Sequence, residues 1–186
     1  MSSPTVVPVR PPISERSNLD LLIMGILVLF LFVFLFELWL VVPCGGWDAL
    51  EGCDSPSAEA ALVAWQGYYE IDPYWGAMPP WYANVMNAQD WIYNPFWALA
   101  LCFFLTNRQD TPWFRTAMTV VATATMTTSL LVFATQFVHP DVTSFMKVAL
   151  LQVNGPWVLA PMLFIYRLHR GANEVLPDEA EVSRGG

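Results

Sequence analysis

The sequence predicts an all-α integral membrane protein, a bundle of four transmembrane helices with a long non-cytoplasmic loop between helices 1 and 2. Its 186 residues are 55% hydrophobic and only 13% charged, whereas about a quarter of the residues in a soluble domain are charged. Four hydrophobic segments are each long enough to cross a hydrocarbon core about 30 Å thick. The net charge of −8 argues against nucleic acid as a partner, because binding it needs a basic surface.

Prolines mark the boundaries or the interior of each hydrophobic segment. The first ends at Pro43, the second is expected to kink at Pro95, and Pro156 and Pro161 interrupt the fourth. Membrane helices tolerate such prolines because neighbouring helices and side chains satisfy the freed carbonyl groups. The four predicted helices are Leu21–Val42, Trp81–Leu105, Trp113–Val138 and Ser144–His169.

Basic residues predict that both termini are cytoplasmic. Seven arginines flank the predicted helices on the side of the termini, and Lys147 is the one basic residue on the other side. Lysine and arginine accumulate in cytoplasmic loops of membrane proteins. The chain is therefore expected to consist of a cytoplasmic N-terminal segment (1–20), a membrane domain (21–169) and an acidic cytoplasmic tail (170–186).

The loop between helices 1 and 2 is the one sizeable polar segment, and a short helix is expected over Glu59–Tyr69. Its aromatic residues fit either an interfacial belt or a lid over a ligand. Cys44 and Cys53 lie on the same side of the membrane, where they either pair or stay free. Cys102, within helix 2, is expected to pack. The five aromatic residues are Trp65, Tyr68, Tyr69, Tyr74 and Trp75.

Polar side chains from several predicted helices meet near the middle of the bilayer. At 1.5 Å per residue, Asp90, Thr127 and Asn154 all lie roughly 14 to 20 Å from their ends of the membrane, and Glu37 lies nearer the non-cytoplasmic face. Buried polar groups cost energy in lipid, so we expect them to converge inside the bundle. The threonine stripe that contains Thr127 has an alternative role, since threonines often bond their own helix backbone.

Glu37 and Asp90 are the candidate catalytic residues. No lysine, arginine or histidine of the predicted helices accompanies them at this depth, so two buried carboxyl groups are expected to share a proton. Such a pair suits a cationic or carbocationic ligand, and an indole ring such as that of Trp157 is a good cation–π partner. The candidate ligand-binding residues are Gln89, Thr127, Asn154 and Trp157. The sequence suggests neither a metal site nor a cofactor.

Five motifs resemble the EXPERA family of four-helix membrane proteins, which includes sterol isomerases and the sigma-2 receptor. Glu37 matches the acid of the family's helix 1, and Asn154 with Trp157 matches a pair in helix 4. The family's second acid falls on Gln89, next to Asp90, and its isomerases carry a histidine at the position of Val33. The matching segments are Phe34–Trp39, Asp72–Tyr82, Trp113–Thr116, Thr125–Thr128 and Val153–Trp157.

The resemblance implies a sterol-like or isoprenoid lipid as ligand, bound in an intramembrane pocket. One expected function is an isomerase that shifts a double bond by carboxyl-mediated proton transfer. The alternative is a non-catalytic sterol-binding or trafficking protein of the sigma-2 receptor type, which would also bind cationic amphiphiles. A homodimer is compatible with the resemblance, and in a eukaryote it implies the endoplasmic reticulum membrane.

Overall fold

The structure, a computed structural model, describes residues 16–50, 52–75 and 78–174, with side chains described as far as Arg170. Every regular element in these residues is helical. The helices are α1 (Asn18–Cys44), α2 (Glu59–Tyr69), α3 (Pro80–Ala88), α4 (Asn94–Leu105), α5 (Pro112–Val138), α6 (Ser144–Asn154) and α7 (Pro156–Glu174), with a short 3-10 helix at Trp47–Ala49 and a π-helical turn at Gln89–Tyr93. The expected N-terminal segment 1–15 and the tail from residue 175 lie outside the described residues.

Three described helices are long and apolar enough to span a membrane. They are Asn18–Cys44, Pro112–Val138 and Ser144–Arg170. These bounds contain the first, third and fourth predicted helices. The second, Trp81–Leu105, corresponds to the continuous helical segment Pro80–Leu105. The chain is therefore compatible with insertion in a membrane.

Local signals explain where α1 begins and ends. The hydroxyl of Ser17 accepts a hydrogen bond from the backbone N–H of Asp20, which caps the N-terminus. At the other end Gly45 takes a left-handed conformation with φ of 89°, and its N–H bonds the carbonyl of Val41. Glycine is the residue that adopts this cap at the lowest steric cost. The cap turns the chain into the long loop immediately after Pro43.

The segment Pro80–Leu105 contains a π-helical turn just before Pro95. A proline inside a helix lacks an N–H and its ring clashes with the carbonyl four residues earlier. The N–H of Asn94 instead bonds the carbonyl of Gln89, five residues back, which widens the helix by one residue. Beside Pro95, where the sequence predicts a kink, the structure has a π turn over Gln89–Tyr93, and this turn changes which side chains face the bundle.

Two apolar clusters fill the bundle, one toward each end of α1. The cluster near the start of α1 joins α1, α4, α5 and α7 around Leu27, Phe30, Trp97 and Phe164. The other lies beneath the long loop and contains Leu40, Trp47, Tyr68, Trp75 and Tyr82. The long loop thus covers one end of the bundle with a second core.

A disulfide joins Cys44 and Cys53, whose Cα atoms are 5.4 Å apart. The pairing that the sequence left open is therefore present, and it closes the loop that carries Trp47. The short helix expected over Glu59–Tyr69 is also present with those bounds. Cys102, by contrast, is exposed on the outside of α4, so the expectation that it packs was wrong.

Candidate functional site

A cavity of about 160 Å³ lies between α1, α3, α5 and the break between α6 and α7, beneath the long loop. Four predicted site residues line it, namely Glu37, Gln89, Asn154 and Trp157. Val33, at the position of the family histidine, also lines it. The remaining wall is mostly apolar and aromatic, so the carboxyl group of Glu37 is the one acidic group on the described wall.

Glu37 belongs to a buried polar cluster with Asp90 and Asn94. The amide nitrogen of Asn94 donates to a carboxyl oxygen of Asp90 at 3.2 Å and approaches one of Glu37 at 3.4 Å. The two carboxyl groups lie next to each other, and the side chain of Gln89 lies beside Glu37. All three members of the cluster are almost completely buried. Two adjacent buried carboxyl groups cannot both carry a negative charge at low cost. The proton that the sequence expects them to share stays a prediction.

Asp90 does not reach the cavity, although it is fully buried. The π turn that begins at Gln89 points Gln89 at the cavity and Asp90 at the loop core, where the indole N–H of Trp47 donates to its Oδ2 at 2.6 Å. The prediction that Glu37 and Asp90 both line one cavity was therefore wrong for Asp90. Its contact with Glu37 places it directly behind the cavity wall.

Thr127 lies on the outside of α5 and does not line the cavity. Its hydroxyl donates to the carbonyl of Thr123 at 2.8 Å, which is the alternative role that the sequence left open for the threonine stripe. The next two residues, Thr128 and Ser129, line the cavity instead. Because successive residues of an α-helix turn by about 100°, a shift of one position moves a side chain to a different face.

Asn154 and Trp157 face the cavity from the two sides of the α6–α7 break. The side-chain amide of Asn154 donates to the hydroxyl of Tyr68 at 2.7 Å. Trp157 stacks on Phe30 of α1 with ring centroids 4.2 Å apart. Pro156 has no N–H to continue the α6 ladder, so the helix breaks here and both side chains are presented to one space.

The long loop forms a lid over the cavity. The sequence left open whether five aromatic residues of this loop form an interfacial belt or a lid over a ligand. Three of them, Trp65, Tyr68 and Trp75, line the cavity. Their rings contact one another, with centroids 4.6 to 5.4 Å apart. The structure therefore favours the lid for these three residues, and we call residues 52–75 the lid.

Sequence reasoning missed a polar cluster around Asp72 that fastens the lid. One carboxyl oxygen of Asp72 accepts from the hydroxyl of Tyr82 at 2.8 Å and from the amide of Gln136 at 2.7 Å. The other accepts from the backbone N–H of Tyr74 at 2.9 Å. The signal available in the sequence was Gln136 in the last turn of a predicted membrane helix, since a buried amide needs a partner.

Burial dominates the electrostatics of the lid. It raises the pKa of Asp72 above its ordinary value, although hydrogen bonds from Tyr74, Tyr82 and Gln136 oppose the shift. Burial also raises the pKa of Tyr68, and the nearby Asp72 adds to that effect. Tyr68 therefore stays a neutral hydrogen-bonding group at physiological pH.

No protein-family model matches the chain, and neither a curated protein nor a solved structure matches it significantly. The family resemblance rests on the five sequence motifs alone.

Proposed function

We propose that the protein binds a sterol-like or isoprenoid lipid in this cavity and shifts one of its double bonds by proton transfer. The observation that carries the proposal is the position of Glu37, a buried carboxyl group on the wall of an aromatic cavity. Asp90 lies beside it, and no lysine, arginine or histidine lines the described wall. An acid held without a basic partner in a mostly apolar and aromatic cavity is suited to protonating an alkene.

The chemistry needs no cofactor. The proton of Glu37 adds to one alkene carbon, using the electron pair of the double bond, and leaves a carbocation on the other carbon. The Glu37 carboxylate stabilises that charge, and Trp157 offers an indole ring that also lines the cavity. A carboxylate oxygen then removes a proton from a neighbouring carbon, and that C–H electron pair forms the new double bond.

The single acid on the wall has a stereochemical consequence. Asp90 does not reach the ligand space, so it acts through Glu37 by sharing the proton. Glu37 then both gives and takes a proton. The proton that is added and the proton that is lost are therefore expected on the same face of the lipid.

The cavity volume suggests which part of the lipid it holds. Ligand pockets for whole drug-sized molecules span about 300 to 1,000 Å³, and a cavity of about 150 Å³ holds one benzene ring. The cavity here, about 160 Å³, matches the reactive end of a lipid. Val153, about half exposed, lies at its margin on the outer surface of α6, where the rest of the lipid can extend toward the bilayer.

A second candidate function is non-catalytic lipid binding of the sigma-2 receptor type. It is favoured by Val33 at the position of the isomerases' histidine and by the single carboxyl group on the wall. The same carboxyl group would form a charge-assisted contact with the ammonium of a cationic amphiphile. Both functions use the same cavity, and they differ in whether a proton reaches the lipid.

The membrane arrangement that we propose has four spans, with Pro80–Leu105 as the second, and places both termini in the cytoplasm. It is supported by the basic residues near the termini and by the disulfide, which forms in oxidising compartments and lies in the loop assigned to the other side. A homodimer is compatible with this arrangement.

Turnover in deuterated buffer tests the proposed reaction. The full chain in lipid nanodiscs is incubated with candidate sterols and isoprenoids, and mass spectrometry follows deuterium in the shifted product. Glu37→Gln keeps the size of the side chain but removes its acidic proton, so it should lower turnover about 10²- to 10⁴-fold. Glu70→Gln, the same change at an exposed carboxyl group, is the control. A bound lipid that gains no deuterium would support the second function.

A further inference from the structure

Trp47 reaches from the disulfide-closed loop into the buried acid pair. It lies in the short 3-10 helix Trp47–Ala49, is 1% exposed, and donates its indole N–H to Oδ2 of Asp90 at 2.6 Å. An indole nitrogen is a donor only, so the contact favours an unprotonated oxygen on Asp90. The proposed reaction assigns no role to Trp47.

The loop that carries Trp47 is constrained on both sides. The Cys44–Cys53 disulfide closes it, and Gly46 precedes Trp47 with φ of 140°. Residues with a side chain rarely adopt this φ, so the position favours glycine. The ring of Trp47 also packs edge-on against Trp75 of the lid, with centroids 5.0 Å apart. These contacts fix the indole in one position over Asp90.

Hydrogen-bond donors are distributed unequally between the two acids. Asp90 accepts from Trp47 at 2.6 Å and from Asn94 at 3.2 Å, whereas the Asn94 amide reaches Glu37 only at 3.4 Å. The side chain of Gln89 also lies next to the carboxyl group of Glu37. The shortest hydrogen bond in the cluster is nevertheless the one that Trp47 donates to Asp90. Donors stabilise a carboxylate over a carboxylic acid. The negative charge of the pair therefore belongs on Asp90, and the shared proton belongs on Glu37, the acid that faces the cavity.

We propose that Trp47 is a positioning residue that keeps the shared proton on Glu37, and that the Cys44–Cys53 disulfide keeps Trp47 in place. The inference rests on the proposed function, because it explains how the acid on the cavity wall is kept in its proton-donating form. The inference also predicts that reduction of the Cys44–Cys53 disulfide, which lies outside the cavity, changes the position of the shared proton on Glu37.

Infrared spectroscopy of the ligand-free protein tests the proposal. The carbonyl stretch of a protonated carboxyl group reports where the shared proton lies. This carbonyl band should be absent from the spectrum of Glu37→Gln, and its loss assigns the band to protonated Glu37. Trp47→Phe removes the N–H but keeps an aromatic ring, and it should shift the assigned band. Trp97→Phe is the matched control, since Trp97 is equally buried and its indole N–H has no acceptor among the described residues.

Reduction of the disulfide provides an independent variant that leaves Trp47 intact. Reduced wild type and the double variant Cys44→Ser/Cys53→Ser should show the same shift of the Glu37 carbonyl band as Trp47→Phe. Reduction of the Trp47→Phe protein should cause no further shift of this band. If Trp47→Phe does not fold, these two preparations alone decide the outcome. An unmoved band in every folded variant, with Glu37→Gln still abolishing it, would overturn the proposal. Failure of the proposed reaction would instead appear as no deuterium transfer with the band shifts intact.

Discussion

The amide of Asn154 and the hydroxyl of Tyr68, 86 residues apart in the chain, are joined by a hydrogen bond of 2.7 Å. The bond connects the C-terminal end of α6 to the lid helix α2, and both residues line the cavity. Asn154 therefore has two roles in the structure. It is part of the predicted ligand wall, and it holds the lid over that wall.

Tyr68→Phe should destabilise the protein by about 0.5–1.5 kcal/mol, because it removes one side of a partly buried hydrogen bond. The free energy of unfolding, measured by denaturant titration in detergent, checks this value. Tyr69→Phe is the control on the same helix, since the hydroxyl of Tyr69 makes no hydrogen bond with the described residues. Equal losses in the two variants would contradict the role of the Asn154 contact.

Asp72 should make the stability of the protein depend on pH. Its pKa is raised in the folded state by burial, so the folded protein binds a proton more tightly than the unfolded chain. This stabilising contribution is fully present below the ordinary aspartate pKa of about 3.8 and is lost as the pH rises through the raised pKa. Between the two pKa values the unfolding free energy of the wild type should fall with pH more steeply than that of Asp72→Asn, and the two slopes should be equal below and above this window. A parallel decline in the Asn variant would assign the pH dependence to other groups.

Gly46→Ala should destabilise the protein by about 1–3 kcal/mol, since alanine would need a φ near 140°. Gly25→Ala is the matched control in α1. There a Cβ meets nothing within 4 Å and the backbone is helical, so stability should stay equal or rise. The thermal midpoints of the two variants check the contrast. A Gly46→Ala protein as stable as wild type would show that the loop is not constrained at this position.

Glu37→Gln should weaken binding of a tertiary-amine amphiphile by about 1.5–3 kcal/mol, the scale of a hydrogen bond to a charged group. A neutral sterol gains mostly by apolar burial, so its affinity should change much less. Isothermal titration calorimetry in nanodiscs measures both ligands with the same two proteins. If both ligands lose affinity equally, the carboxyl group shapes the cavity but does not bind the ammonium by charge.

The sequence determined the helical segments because their signals are local. The long apolar runs, the prolines at their ends and the short helix expected over Glu59–Tyr69 correspond to helices that the structure contains. Glu37, Gln89, Asn154 and Trp157, four of the predicted site residues, line one cavity, and their role toward a ligand stays a prediction. Glu37, Gln89 and Asn154 carry carboxyl or amide groups that lipid disfavours, which is why the sequence places them in the interior.

The tertiary structure decided which face each neighbouring residue takes. The π turn before Pro95 moves Asp90 out of the cavity, and the register of α5 exposes Thr127 and places Thr128 at the wall. A change of one residue rotates a side chain by about 100°, which no composition or depth estimate resolves. The contacts of Trp47 with Asp90 and of Asp72 with Gln136 join residues 43 and 64 positions apart. Such pairs depend on how the loop folds back over the bundle, and only the packed chain specifies that path.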